Sequence, residues 1–215
     1  MSQHNATENH LQHHFADSNQ QRESAKLGMW IFLITEVLLF GGLFCFYAIY
    51  RAWNPDIFHN AHKALDVRLG TLNTIVLITS SVTMALAIRW IQLGNKDRSR
   101  LYLIFTFLLA LTFLVVKYFE YSHKFHLGQL PGKFYTYGGI PGTNPHLFFS
   151  VYFALTGLHG IHVTAGMLVI GWLIRRTSRG DFTEHYHTPV EMTGLYWHLV
   201  DLIWIYLFPL LYLVG

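Results

Sequence analysis

The last apolar run of the chain, Glu191 to Val214, contains the stretch Leu195-Tyr196-Trp197-His198-Leu199-Val200-Asp201. His198 and Asp201 are three positions apart, so on a helix they share one face. The run is long enough to cross a bilayer, where ionisable side chains are costly and usually face protein or water rather than lipid. We therefore expect other polar groups inside the membrane to satisfy this pair. The candidates are Glu36, Glu120, His159 and His162.

The composition is that of a membrane protein. Of the 215 residues, 52% are hydrophobic and only 13% are charged, whereas soluble domains carry about 25% charge. The net charge is +3, and the basic residues lie mostly in short loops, which indicates topology rather than a nucleic-acid surface. The single cysteine, Cys45, excludes an internal disulfide and a zinc-ribbon site.

Five apolar runs predict an all-α, polytopic membrane helix bundle over residues 27–215. Each run reaches the ~20 residues that a membrane span needs, and a backbone without water must be helical there. The runs cover residues 27–50, 70–93, 101–122, 147–174 and 191–214. The connection at 123–146 is rich in Gly, Pro and Tyr and predicts an ordered surface loop.

Residues 1–26 form a polar N-terminal tail, of which 1–21 lack apolar periodicity and are expected to be mobile. Its four histidines are His4, His10, His13 and His14. Histidine can bind metal ions, but without a packed scaffold we expect no structural site here.

The distribution of Lys and Arg predicts the orientation. Nine basic residues lie on the side of the N-terminus and of the second and fourth loops, and five lie on the opposite side. The positive-inside rule then places the N-terminus in the cytoplasm and the C-terminus outside.

Glu36 lies nine positions into the first run, ~14 Å along the axis and near the middle of the bilayer. A carboxyl group at that depth is either protonated or partnered. It could serve in proton transfer, or it could be a neutral acid that hydrogen-bonds to a neighbouring helix.

The fourth run contains Thr156-Gly157-Leu158-His159-Gly160-Ile161-His162. Its two histidines share a face, and Gly157 and Gly160 predict close approach of another helix. Haem or metal ligation is one interpretation, with His198 as a possible further ligand. Hydrogen bonding between helices is the interpretation we favour, because the spacing is tighter than that of the zinc-protease motif.

Lys117 and Glu120 are three positions apart in the third run and can pair with each other. Lys117 can also snorkel to the outer interface, and the spacing and position are typical of an interfacial ion pair. The polar residues of the runs do not form the nucleophile–base–orienter set that acyl transfer needs. Phosphate loops, dinucleotide fingerprints and HExxH motifs are absent from the sequence.

Ordered motifs along residues 27–214 resemble one known family, subunit III of the haem–copper terminal oxidases. Each span contributes one motif in the family's order. They are Gly28-Met29-Trp30 with Thr35-Glu36-Val37, Leu72-Asn73-Thr74 with Ser80-Ser81-Val82-Thr83, Glu120-Tyr121, Thr156 to Val163, and Glu191 followed seven residues later by His198 in Tyr196-Trp197-His198-Leu199-Val200-Asp201.

The resemblance implies an accessory, redox-inactive subunit of a respiratory oxidase in a bacterial inner membrane. Haem and copper would lie in the catalytic subunit I, on which this chain would pack with other oxidase subunits, supporting stability and proton uptake. By position, Glu36 resembles the family's buried carboxyl group. The bundle residues would be Glu120, His159, His162, Glu191, His198 and Asp201.

The chain also departs from the family's long form. That form has seven helices, and the runs here resemble the third to the seventh, so the cleft that binds phospholipid in the long form would be either missing or completed by another subunit. Lys117 stands where the long form often has glutamine. Two alternatives stay open, a related accessory protein of nitric oxide reductase and a haem-binding membrane protein that uses His159, His162 and His198.

Overall fold

The computed structural model describes residues 12–140, 144–184 and 186–214. Within them the chain forms six α-helices, five of which are long and apolar enough to cross a membrane. The helices are α1 Ser18–Trp53, α2 Pro55–Ala61, α3 Val67–Gln92, α4 Lys96–His126, α5 His146–Arg179 and α6 Thr188–Phe208. The prediction of an all-α bundle with five spans is confirmed.

The first helix begins earlier than the apolar pattern predicts. Ser18 is its first residue, because the Asp17 side chain accepts a hydrogen bond from the backbone N–H of Gln20 at 2.6 Å and caps the helix. Residues 18–26, which we assigned to the polar tail, therefore form the first turns of α1. Polar residues can extend a membrane helix beyond the bilayer, and hydropathy alone does not detect them.

Two of the four tail histidines lie within the described residues. His4 and His10 lie outside the described residues. His13 and His14 are exposed, and their ring centroids are 5.3 Å apart. Groups of three or more side chains able to hold a metal ion do not occur in the part of the chain that the structure describes.

Polar caps and glycine set the helix boundaries at the loops. Asp66 accepts hydrogen bonds from the backbone at the start of α3, and Asn95 does the same at the start of α4. Gly180 ends α5 in the left-handed conformation, with φ of 80°, which glycine adopts without steric cost. After α6 the chain continues as a π-helical turn, Pro209–Leu213.

Helix α6 is the centre of the bundle and α1 lies at its edge. Helix α6 contacts α1, α3 and α5, while α4 packs between α3 and α5. In the apolar stretch of the last span 44% of the residues are buried, whereas in that of α1 only 11% are. Trp197 and Trp204 are the largest fully buried side chains of the described residues, so the helix that contains the polar motif also carries the bulkiest side chains of the core.

The loop between α4 and α5 packs on the bundle in its described parts, 127–140 and 144–145. Tyr135 stacks on Phe149 of α5 with ring centroids 5.7 Å apart. Gln129 and Ile140 are buried. These contacts agree with the predicted ordered surface loop.

Candidate functional site

A buried ion pair on α4 is the most fully bonded polar cluster of the bundle. Lys117 Nζ lies 2.8 Å from Glu120 Oε2, and the two residues are 8% and 4% exposed. Tyr152 and Tyr212 both donate their hydroxyl groups to Glu120 Oε1, at 2.8 and 2.6 Å. Lys117 also donates to the Tyr212 hydroxyl at 2.8 Å and lies over the Trp204 ring. Each charge is therefore compensated by several partners.

The predicted pairing of Lys117 and Glu120 is confirmed, but the predicted position of Lys117 is wrong. Its side chain does not snorkel to the interface, because Tyr212 and Glu120 satisfy the ammonium group inside the bundle. The π-helical turn contributes to this arrangement. In this turn the Val214 N–H bonds to the Pro209 carbonyl oxygen, five residues back, at 2.9 Å, and the same turn carries Tyr212.

Glu36 of α1 meets His162 of α5, with 2.8 Å between Oε2 and Nε2. The other ring nitrogen of His162, Nδ1, lies 2.8 Å from the Leu158 carbonyl oxygen. Since a carbonyl can only accept, Nδ1 carries a proton. The short contact between Nε2 and Oε2 then needs one further proton, which sits on the acid in the neutral pair or on the imidazole in the ion pair.

The Glu36–His162 pair thus holds one shareable proton and is neutral overall in either form. The two side chains are only 13% and 14% exposed, although α1 lies at the edge of the bundle. Tyr196 of α6 donates to the His162 carbonyl oxygen at 3.0 Å. The predicted requirement that Glu36 be protonated or partnered is met by a residue 126 positions away.

One ring nitrogen of His198 is satisfied by α3 rather than by the acids and histidines that we expected. Its Nδ1 lies 2.7 Å from Ser81 Oγ. One position earlier on each helix, Trp197 Nε1 donates to Ser80 Oγ at 2.9 Å. The adjacent serines Ser80 and Ser81 therefore form polar contacts between α3 and α6.

Asp201 and His159 are buried without a well-oriented hydrogen bond to any described residue. Asp201 is 2% exposed and lies beside Ser81, whose Oγ is 2.7 Å from His198 Nδ1. His159 is fully buried, with its ring against Phe113 and Trp204 at centroid distances of 5.5 and 5.2 Å. The prediction that Glu36, Glu120, His159 or His162 satisfies Asp201 is wrong.

The histidines that suggested haem ligation have different surroundings. His162 uses both ring nitrogens, for Leu158 and Glu36, and would have to release one to bind a metal ion. His159 is enclosed by aromatic rings, and His198 bonds to α3. This geometry disfavours the haem alternative, and the expectation that haem and copper belong to a partner subunit stays a prediction.

Glu191 joins two helix ends. It lies in the first turn of α6 and accepts a hydrogen bond from the Gln92 side chain at the end of α3, at 2.7 Å. His187 Nε2 lies 3.1 Å from the same oxygen. An acid in the first turn also interacts favourably with the helix dipole, so Glu191 fastens α6 to α3 outside the core.

The glycine face of α5 forms a groove rather than a helix contact. A Cβ atom on Gly160 would have no neighbour within 4 Å, and one on Gly157 would meet only the Tyr121 hydroxyl, at 3.9 Å. A groove of about 510 Å³ runs here between α4 and α5. The expected close approach occurs instead at Gly166, where a Cβ atom would lie 2.7 Å from the Trp197 ring.

Comparison with known proteins identifies the family. A sequence model of the family "Cytochrome c oxidase subunit III" matches residues 5–215. Cytochrome c oxidase subunit 3 of Synechocystis sp. is 36% identical over 87% of this chain and 74% of its own length. The subunit of that name in Thermostichus vulcanus is 33% identical over 87% and 86%. Cytochrome bo(3) ubiquinol oxidase subunit 3 of Pseudomonas putida is 30% identical over 88% and 85%. Five membrane-spanning helices, their interior polar contacts and this match agree: the chain belongs to the cytochrome c oxidase subunit III family.

Proposed function

We propose that this chain is the accessory subunit III of a bacterial respiratory haem–copper oxidase. It packs on the catalytic subunit, carries no redox centre of its own, and supports the stability and proton uptake of that subunit. Membership of the family supports the association with other oxidase subunits. The interior polar contacts support a redox-inactive role, because they join helices to one another.

The observation that carries the proton-uptake part is the Glu36–His162 pair. It holds one proton that can move between two atoms 2.8 Å apart, and it joins the peripheral helix α1 to α5. A group of this kind can take up and release a proton without leaving a net buried charge, provided that a second proton carrier reaches it. We propose that Glu36 tunes proton delivery to the neighbouring subunit or its stability.

Replacing Glu36 by Gln tests this role. The amide can still donate a hydrogen bond to His162 Nε2, so the contact between α1 and α5 is kept, while the transferable proton is lost. We expect the oxidase to assemble but to turn over more slowly or to inactivate sooner during turnover. Thr35→Val is the matched control, because the Thr35 hydroxyl bonds only within α1, to Phe32.

The result that contradicts the proposed role of Glu36 is an E36Q oxidase whose assembly, turnover and inactivation during turnover all equal those of the Thr35→Val control. Slower turnover in both variants would indicate a general effect of altering α1, and the proton argument would then fail as well.

Purification in mild detergent tests the accessory role itself. We expect the chain to purify together with a haem–copper catalytic subunit. Once the two are separated, we expect the chain by itself to show no haem bands in the reduced-minus-oxidised visible spectrum. A haem band that stays with the chain would establish the haem-binding alternative. Recovery of a nitric oxide reductase instead would establish the other alternative.

We further propose a bacterial inner-membrane location with the N-terminus in the cytoplasm. The bias of nine to five basic residues supports it, and an odd number of spans places the two termini on opposite sides. Cysteine labelling of opposite loops in sealed vesicles tests the orientation.

The relatives named above include subunits of cytochrome c and ubiquinol oxidases, so both electron donors fit the proposal. Bound phospholipid stays part of it, to be tested by lipid analysis of the purified chain.

A further inference from the structure

One face of α6 is left open between α1 and α3. It carries Leu195, His198, Leu202 and Ile205, which we call the α6 seam. Leu202 and Ile205 are 49% and 47% exposed, and the other two residues are partly exposed. The steps of three, four and three residues are those by which one helix packs against a single neighbouring helix.

The neighbouring helices flank the α6 seam without covering it. On one side, Ser81 of α3 bonds to His198. On the other side, Phe32 and Phe44 of α1 lie against Tyr196 and Tyr206 of α6, with ring centroids 5.9 and 6.5 Å apart. A helix from another chain could therefore pack on α6 and contact α1 on one side and α3 on the other.

A polar atom of the α6 seam faces outward in the middle of the membrane. His198 is ten residues into the span Thr188–Leu213, ~15 Å along its axis. Its Nδ1 is used by Ser81, while Nε2 bonds to no described residue and is not enclosed by the bundle. Acyl chains cannot satisfy such a group, and polar side chains at this depth normally face protein or water.

We propose that the α6 seam is the docking surface for one transmembrane helix of another oxidase subunit, with a hydroxyl or amide side chain at the depth of His198. The Ser81 hydroxyl can donate to Nδ1 or accept from it, so Nε2 is either a donor or an acceptor. A hydroxyl or amide group fits both cases. This inference rests on the proposed function and adds the surface through which the subunit is held.

The groove between α4 and α5 differs in this respect. Its lining is mostly apolar, and the charged group that lines it, Lys117, is already bonded to Glu120 and Tyr212. Nothing there requires a protein partner, and membrane lipid can fill the groove. The α6 seam therefore differs from the groove because it carries a polar atom, His198 Nε2, that lacks a partner among the described residues.

Photo-crosslinking in the purified, complete oxidase tests the surface. A photoreactive amino acid replaces Leu202 in the α6 seam, and as a matched control it replaces Leu108 of α4, which is equally 49% exposed. We expect the probe at position 202 to form a crosslink to another oxidase subunit at a transmembrane peptide. The probe at 108 shows what the same residue captures on a different helix. A probe at 202 that captures only lipid overturns the proposal.

Two substitutions then test the role of His198 Nε2. His198→Leu removes the outward hydrogen bond, and we expect the subunit to bind about 3- to 20-fold more weakly, the range of single hydrogen bonds between membrane helices. Ser81→Ala removes the internal bond but keeps Nε2, so it should retain the partner better than H198L does. Equal losses in both variants would assign His198 an internal role only and contradict the proposal.

Failure of this inference is distinguishable from failure of the proposed function. If the unmodified chain does not purify with a haem–copper oxidase, the proposed function is wrong. If it does, but the probe at Leu202 meets only lipid, the chain is an oxidase subunit held through a different face.

Discussion

The buried pair of Lys117 and Glu120 provides the most discriminating test of how this bundle is stabilised. Lys117→Met keeps most of the side-chain length and removes the charge. The Glu120 carboxylate, whose side chain is only 3% exposed, then keeps two tyrosine hydroxyls as its donors. Removing one partner of a buried ion pair costs ~3–5 kcal/mol, whereas an exposed pair contributes ~0–1 kcal/mol.

We expect Lys117→Met to lower the free energy of unfolding by about 3 kcal/mol, the lower end of the range for buried pairs. The loss is limited because Tyr152 and Tyr212 continue to donate to the Glu120 oxygen. The double variant, Lys117→Met with Glu120→Leu, should regain most of that loss. It removes both charges of the pair together, and the two tyrosine hydroxyls, 3.4 Å apart, can bond to each other. The four proteins form a double-mutant cycle, which measures the coupling directly.

The assay is reversible unfolding of the purified protein from mild detergent by increasing fractions of SDS, followed by loss of helical circular dichroism. A cost below about 1 kcal/mol for Lys117→Met, together with an additive double variant, would contradict the structure. It would mean that Lys117 reaches the interface, as its position near the end of a span predicts.

Other substitutions separate close packing from open space in the same assay. Gly166→Ala places a Cβ atom 2.7 Å from the buried Trp197 ring and should destabilise by ~1–3 kcal/mol, whereas Gly160→Ala has open space and should stabilise by up to ~1 kcal/mol through helix propensity. Equal effects would refute this packing. Tyr212→Phe removes a buried bond to the Glu120 carboxylate and should cost ~1.5–3 kcal/mol, and an unchanged stability would show that this bond is not formed.

The spans and several of their ends were predictable because the forces that set them are local. Run length and backbone hydrogen bonding in the bilayer predict the five helices without knowledge of the packing. The apolar runs 70–93 and 101–122 predicted a break between the second and third spans, and Asn95 in that break caps α4. The start of α1 at Ser18 was missed because hydropathy does not register polar helical turns outside the membrane.

The partners of the polar residues were less predictable. Pairing within one helix followed from spacing, and Lys117 with Glu120 is the example. Pairing between helices did not, because Ser81 meets His198 and Tyr212 meets Glu120 across 117 and 92 positions. A polar atom of a membrane helix can bond to partners on several neighbouring helices, and sequence spacing does not indicate which of these partners it meets.

The sequence alone therefore determined that the chain is a five-span membrane bundle with ionisable groups in its interior, and its motifs indicated the family. Only the tertiary structure decided that Glu36 meets His162, that Lys117 is buried, and that one ring nitrogen of His198 is left without a partner among the described residues. The reason is physical. Helix formation in a bilayer depends on each segment by itself, whereas the rotation and axial shift of each helix depend on how bulky side chains such as Trp197 pack against close approaches such as Gly166.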